Sequence, residues 1–70
     1  MRSRESFFEC VYVRDGSEYR FHVRAWDAKA AEEQFRAELE ADGVREPGKL
    51  EVFGRKGVRL IQSDYAFAPA

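Results

Sequence analysis

Seventy residues with one cysteine and one histidine exclude an internal disulfide and a four-ligand zinc site of thiolates and imidazoles. No apolar run approaches the ~20 residues that span a bilayer, and a formal charge of −1 gives no global attraction to nucleic acid or to an anionic membrane. A core of this size leaves a net stability of only a few kcal/mol, so the six Phe, three Tyr and one Trp are expected to serve packing first.

The first residues, Met1 to Ser6, carry two arginines with no apolar stretch of ~7–15 residues behind them. They are expected to form a flexible tail, and a reducing cytoplasm is the expected setting. Phe7 to Arg14 and Glu18 to Ala25 are rich in aromatic and β-branched residues and flank Asp15-Gly16, a pair suited to the two positive φ angles of a type I′ turn. A two-residue loop there pairs Tyr12 with Tyr19 and Cys10 with Phe21. Opposed residues share a face, so Phe8, Cys10, Tyr12, Tyr19, Phe21, Val23 and Ala25 are expected to face the core. Phe7, Glu9, Val11, Val13, Glu18, Arg20, His22, Arg24 and Trp26 then lie on the outer face. A three-residue loop would instead bury Val11 and Val13, but it would set Glu9 against Val23 in the core.

Asp27 suits a helix N-cap, and Ala28, Ala31, Phe35 and Leu39 form one apolar stripe at 100° per residue. Gly43 fits the left-handed position after the helix, with Val44 placed to touch Leu39 and Pro47 preventing its resumption. The helix is expected at about 28–42. It is strongly acidic: from Asp27 to Asp42 six acids face two bases, a local charge of −4, while the remainder carries ten Lys/Arg and seven Asp/Glu, or +3. Lys49 to Phe53 and Val58 to Ser63 read as a second hairpin. An even loop opposes Glu51 and Leu60; a three-residue loop Arg55-Lys56-Gly57, with Gly57 left-handed, opposes Val52 and Leu60 instead. The second choice puts Leu50, Val52, Val58 and Leu60 inward and Glu51, Phe53, Arg59 and Ile61 outward. Tyr65 and Phe67 either extend the last strand or fold over a sheet edge, and residues 68–70 read as a tail. The expected fold is a single α+β domain: one small antiparallel sheet of four or five strands with one helix on one face, in the order ββαββ.

Candidate chemistry is sparse. Cys10 lies on the core face, where a thiol packs rather than reacts. His22 has no partner set for a triad and is expected to face Glu9 across the hairpin and form an ion pair with it. The helix carboxylates, Glu32 with Arg36 and Glu33 and Glu40 nearby, are expected on a solvated face, without the burial that tunes an acid or base. Gly54-Arg55-Lys56-Gly57 joins strands rather than opening a helix and does not cradle phosphate. No catalysis, metal or cofactor is expected. What remains is binding. Arg20, His22, Arg24, Trp26, Phe53, Arg55, Lys56 and Arg59 are the candidate partner-binding residues of the outer face, and Glu33 and Glu40 mark a second, acidic surface. The outer face reads equally as a half-wet sheet whose long side chains cover their neighbours.

The segment from Arg20 to Ala31, an aromatic-x-Val-x-Ala-x-Asp strand end feeding an Ala-rich helix, resembles the strand-to-helix junction of the small phage-encoded type I anti-CRISPR proteins and of the archaeal LX-type ribosomal protein. The acidic balance points away from ribosomal RNA, which demands a positive excess. The anti-CRISPR resemblance implies a non-enzymatic inhibitor whose partner is a protein, a CRISPR effector complex subunit, on which it blocks nucleic-acid access. Direct binding of single-stranded nucleic acid and a structural homodimer through the outer face or a sheet edge are the other expectations.

Overall fold

A computed structural model describes residues 5–67 of the chain. Residues 1–4 and 68–70, most of the two expected tails, lie outside the described residues. Five elements follow in chain order: β1 (Ser6–Arg14), β2 (Ser17–Ala25), α1 (Ala28–Ala41), β3 (Gly48–Phe53) and β4 (Arg59–Tyr65). Ser6 already belongs to β1, where it pairs with Ala25. The four strands form one antiparallel sheet in the order β2-β1-β3-β4, with α1 packed on one face. This is the ββαββ α+β fold. No helix among the described residues is long and apolar enough to cross a membrane.

The Asp15-Gly16 turn sets the first hairpin. Asp15 and Gly16 both take positive φ, 50° and 80°, which matches the right-handed twist of the flanking strands. The register that follows is the two-residue one, from Arg14 opposite Ser17 to Ser6 opposite Ala25. Asp27 caps α1 by accepting from the Ala30 N–H at 2.8 Å. At the other end Gly43 (φ 77°) lets its N–H reach the Glu40 carbonyl and the Val44 N–H reach that of Leu39, both at 3.0 Å. Those two bonds satisfy carbonyls that the helix would otherwise orphan.

Ala31, Phe35 and Leu39 are buried against Phe8, Cys10 and Tyr12 of β1, Val23 and Ala25 of β2, Leu50 and Val52 of β3, and Tyr65 of β4. Two tyrosines fasten the loop between α1 and β3: Tyr12 Oη donates to the Glu46 carbonyl at 2.6 Å and Tyr65 Oη to that of Val44 at 2.7 Å. Their rings meet edge to face, 5.5 Å between centroids.

The second hairpin departs from expectation beyond its turn. Gly57 is left-handed (φ 78°) and closes the expected three-residue loop, and Phe53 faces Arg59. A bulge at Leu60 then shifts the register, so Val52 faces Ile61 rather than Leu60. One extra residue reverses which side chains face inward. Ile61 therefore packs against the core and Tyr65 is buried in it. Val58 and Leu60 lie on the helix side as expected, in a cleft shared with Phe8 and Gly54, but stay exposed rather than joining the core. Tyr65 explains the choice, since a regular ladder would turn this large ring to the outer face. Tyr19 and Phe21 lie on the helix side as expected but remain partly open at the β2 edge. Phe67 does not extend the strand; it lies under the Arg45 guanidinium, 4.9 Å from the ring centre.

Gly48 marks the tightest approach in the fold: a Cβ there would lie 2.6 Å from the Val13 carbonyl oxygen and 2.7 Å from Tyr12 Cε1. Gly48→Ala is expected to lower unfolding stability by about 1–3 kcal/mol, measured as a lower urea midpoint with unchanged m-value. A midpoint equal to the parent's would refute the close approach.

Candidate functional site on the outer sheet face

Alternation along the strands builds the outer face in rows across the sheet. Phe7 faces Arg24, Glu9 lies between His22 and Phe53, Val11 between Arg20 and Glu51, and Val13 between Glu18 and Lys49. Arg59, beside Phe53, and Gln62, beside Glu51, complete the β4 side.

The middle of this face is a lattice of compensated charge. Arg20 binds Glu9 at 2.9 Å and Glu18 at 3.0 Å, and these hydrogen bonds hold its guanidinium pKa above the ordinary value, the bond to Glu9 contributing most. Glu51 accepts from Arg59 and from Gln62, each at 3.3 Å. Beneath lies Val11, only 1% exposed on the face that no helix covers. Its cross-strand neighbours on either side are Arg20 and Glu51, whose aliphatic stems are long enough to supply that cover. His22 sits opposite Glu9 as expected, yet the ion pair expected between them is not made, because the Glu9 carboxylate is taken by Arg20.

The end of the face where β1 starts and β2 finishes is built differently. Phe7 is 56% exposed and Trp26, in the link to α1, 62%. The Arg24 guanidinium lies 4.8 Å from the centre of the Phe7 ring. Arg55 and Lys56 occupy the exposed β3–β4 turn at the same end, where a shallow cleft of about 350 Å³ is lined by Phe7, Glu9, His22, Gly54, Arg55 and Gly57. Among the described residues, Arg24, Arg55 and Lys56 make no ion pair. Of the expected set, His22 and Arg55 line this cleft, Phe53 flanks Glu9 beside it and Arg24 stacks on Phe7. Lys56 instead turns to the cleft on the helix side with Phe8, Val58 and Leu60, and Trp26 stands exposed beyond the end of β2. The structure commits Arg20 and Arg59 to internal pairs, and it adds Phe7, whose place beside Arg24 follows from the Asp15-Gly16 register alone.

The acidic helix is less open than its composition suggests. Glu33 is exposed and pairs with Lys29 at 3.7 Å. Glu40 is half-buried. Glu32, expected on the solvated face, is half-buried against β4, where it accepts from Ser63 and pairs with Arg36 at 3.4 Å. Missing it in the sequence has a definite cause, since only the bulge turns Ser63 inward.

Cys10 is fully buried, with its thiol 3.9 Å from the Ala31 carbonyl. Burial, aided by the nearby Glu9 charge, pushes the thiol up to about 11, so at neutral pH it is protonated and a poor nucleophile. Among the described residues no three of His, Cys, Asp and Glu converge as a metal-binding group.

No family model, curated protein or solved structure matches the chain.

A thiol whose pKa is raised by folding stabilises the protein below the unfolded value of 9.0, and that contribution is lost as pH rises towards 11. Tyr12 and Tyr65, raised above 10.0 by burial, act in the same sense at higher pH. The urea midpoint is therefore expected to fall from pH 9 upwards, and Cys10→Val to flatten the early part of that fall. Identical profiles for the two proteins would exclude the thiol as its source.

Proposed function

We propose that the protein is a non-enzymatic binding module that engages an anionic protein surface through the cationic, aromatic end of its outer sheet face. The observation that carries the reading is the contrast between the two halves of that face. Arg20 and Arg59 are neutralised by carboxylates, whereas Arg24, Arg55 and Lys56 make no ion pair among the described residues. Arg24 stacks on the exposed Phe7 ring, Arg55 lines a cleft with it, and exposed Trp26 follows the same end of β2. Unpaired cations and exposed rings are enriched where a partner completes the contacts. Conformational entropy favours this use of the site, because a guanidinium already stacked on a ring loses less freedom on docking.

The narrower form of the proposal is an inhibitor that docks on a nucleic-acid-processing complex and blocks its nucleic-acid path. Its support is the resemblance of residues 20–31 to the phage anti-CRISPR junction, the segment that carries Arg24 and Trp26. A second reading, a platform for single-stranded nucleic acid, is favoured by the same pair of rings, since bases stack on aromatic side chains while arginines follow phosphates.

Trp26, the only tryptophan, reports on either ligand. Its fluorescence is expected to respond to an acidic polypeptide at low salt, with affinity at least roughly tenfold lower after combined Arg24→Glu and Arg55→Glu, and little changed after Arg20→Glu. Tighter binding of oligothymidylate than of the polypeptide, with a steep salt dependence, would move the assignment to nucleic acid. Silence with both ligands at low salt would overturn both readings.

A further inference from the structure

The two edges of the sheet are not equivalent. β4 is interrupted by its bulge, and the Asp64 carbonyl on that edge is occupied by Arg36 at 3.3 Å. β2 is a regular nine-residue strand without proline or bulge. Such an edge is a template for another strand. In a hairpin closed by a two-residue turn, Arg14 and Ser17 form the first hydrogen-bonded pair. Alternation along the ladder then turns the N–H and C=O of Glu18, Arg20, His22 and Arg24 away from β1. Gln34, which reaches from α1 to donate to the Arg24 carbonyl at 3.2 Å, meets that carbonyl on its open side.

We propose that β2 is a self-complementary edge through which two copies of the chain pair antiparallel about a two-fold axis at Phe21, extending the sheet to eight strands. Phe21 is the midpoint of Ser17–Ala25, so this register pairs the strand over its full length. On the outer face Glu18 then opposes the partner's Arg24 at both ends, and Arg20 opposes the partner's His22. On the helix side Phe21 meets the partner's Phe21, and Tyr19 meets the partner's Val23. The neighbouring symmetric registers fail on charge: an axis at Arg20 sets arginine against arginine, and an axis at His22 sets Arg20 against the partner's Arg24. Further displacement pairs only about half the strand.

The exposure of the β2 side chains fits this occupant. Tyr19 is 48% and Phe21 37% exposed although both face the helix side, whereas Val23 and Ala25 further along the same strand are buried. Beside Tyr19 and Phe21 runs an open cleft of about 570 Å³ lined also by Leu39 and Val44. A second strand would cover both rings and satisfy the outward backbone groups; Arg24's carbonyl, already bonded to Gln34, keeps a second lone pair for the partner's Glu18 N–H. An interface of one strand and its flanks is small, which places the expected affinity on the order of micromolar.

Sedimentation equilibrium over roughly 10–300 µM tests the pairing without any other ligand. The parent is expected to dimerise. Glu18→Arg and Arg24→Glu, each placing like charges together twice, are expected to weaken the dimer roughly tenfold. An equimolar mixture of the two variants is expected to form heterodimers as tightly as the parent, since each pair is then opposite in charge. His22→Pro removes an outward N–H without touching the β1 ladder, so it is expected to be monomeric with native circular dichroism. A parent that stays monomeric at 300 µM, or single variants that stay apart when mixed, overturns the proposal.

Discussion

One helix, about 10 Å across, has to cover a sheet whose outermost strands lie about 15 Å apart. Most of what is distinctive in this protein follows from that mismatch. Phe35, at the centre of the apolar stripe, is fully buried, and the residues beside it reach the edges: Gln34 bonds the Arg24 carbonyl of β2 and Arg36 that of Asp64 in β4. These two side chains hold the helix across the sheet, yet they cannot cover it. On one flank Tyr19 and Phe21 stay half open; on the other, Val58 and Leu60 are exposed above a cleft that also involves Phe8 and Gly54.

The opposite face solves its burial problem without any second layer. Val11 is as buried as a core residue, although it points away from the helix, because Arg20 and Glu51 lie on either side of it and are fixed by ion pairs. Surface ion pairs contribute little each. Here pairing also restricts the long side chains of Arg20 and Glu51 on either side of the valine, which favours steric cover as well as charge compensation. The same lattice separates the face into a neutralised middle and an end where Arg24, Arg55 and Lys56 make no ion pair among the described residues. Arg24 belongs to both proposed surfaces, through its side chain at the outer end and through both side chain and backbone on the β2 edge, so the two proposals predict coupling between them.

Much of this was legible in the residues. Asp15-Gly16 determined the first hairpin pair by pair, because only one turn type suits both positive φ angles and it allows one register. Asp27, the Ala31-Phe35-Leu39 stripe and Gly43 determined the helix and both its ends. Gly57 marked the turn of the second hairpin. From these, the composition of the outer face followed, including Phe7 next to Arg24.

Three things were decided only by the tertiary structure. The bulge at Leu60 exchanged Ile61 for Leu60 in the core, because burial of Tyr65 outweighs the regularity of one ladder and no local pattern encodes that competition. The choice of Glu9 as the partner of Arg20 rather than His22 arose from diagonal reach across strands, which pairing registers do not specify. The open rings of Tyr19 and Phe21 came from strand order: with β3 docked on β1, β2 is left as an edge, and α1 covers its Val23 and Ala25 but not the half nearer the turn. Sequence determined the faces, since alternation and turn chemistry are local. Which parts of each face stay free for a partner depended on where one narrow helix came to rest.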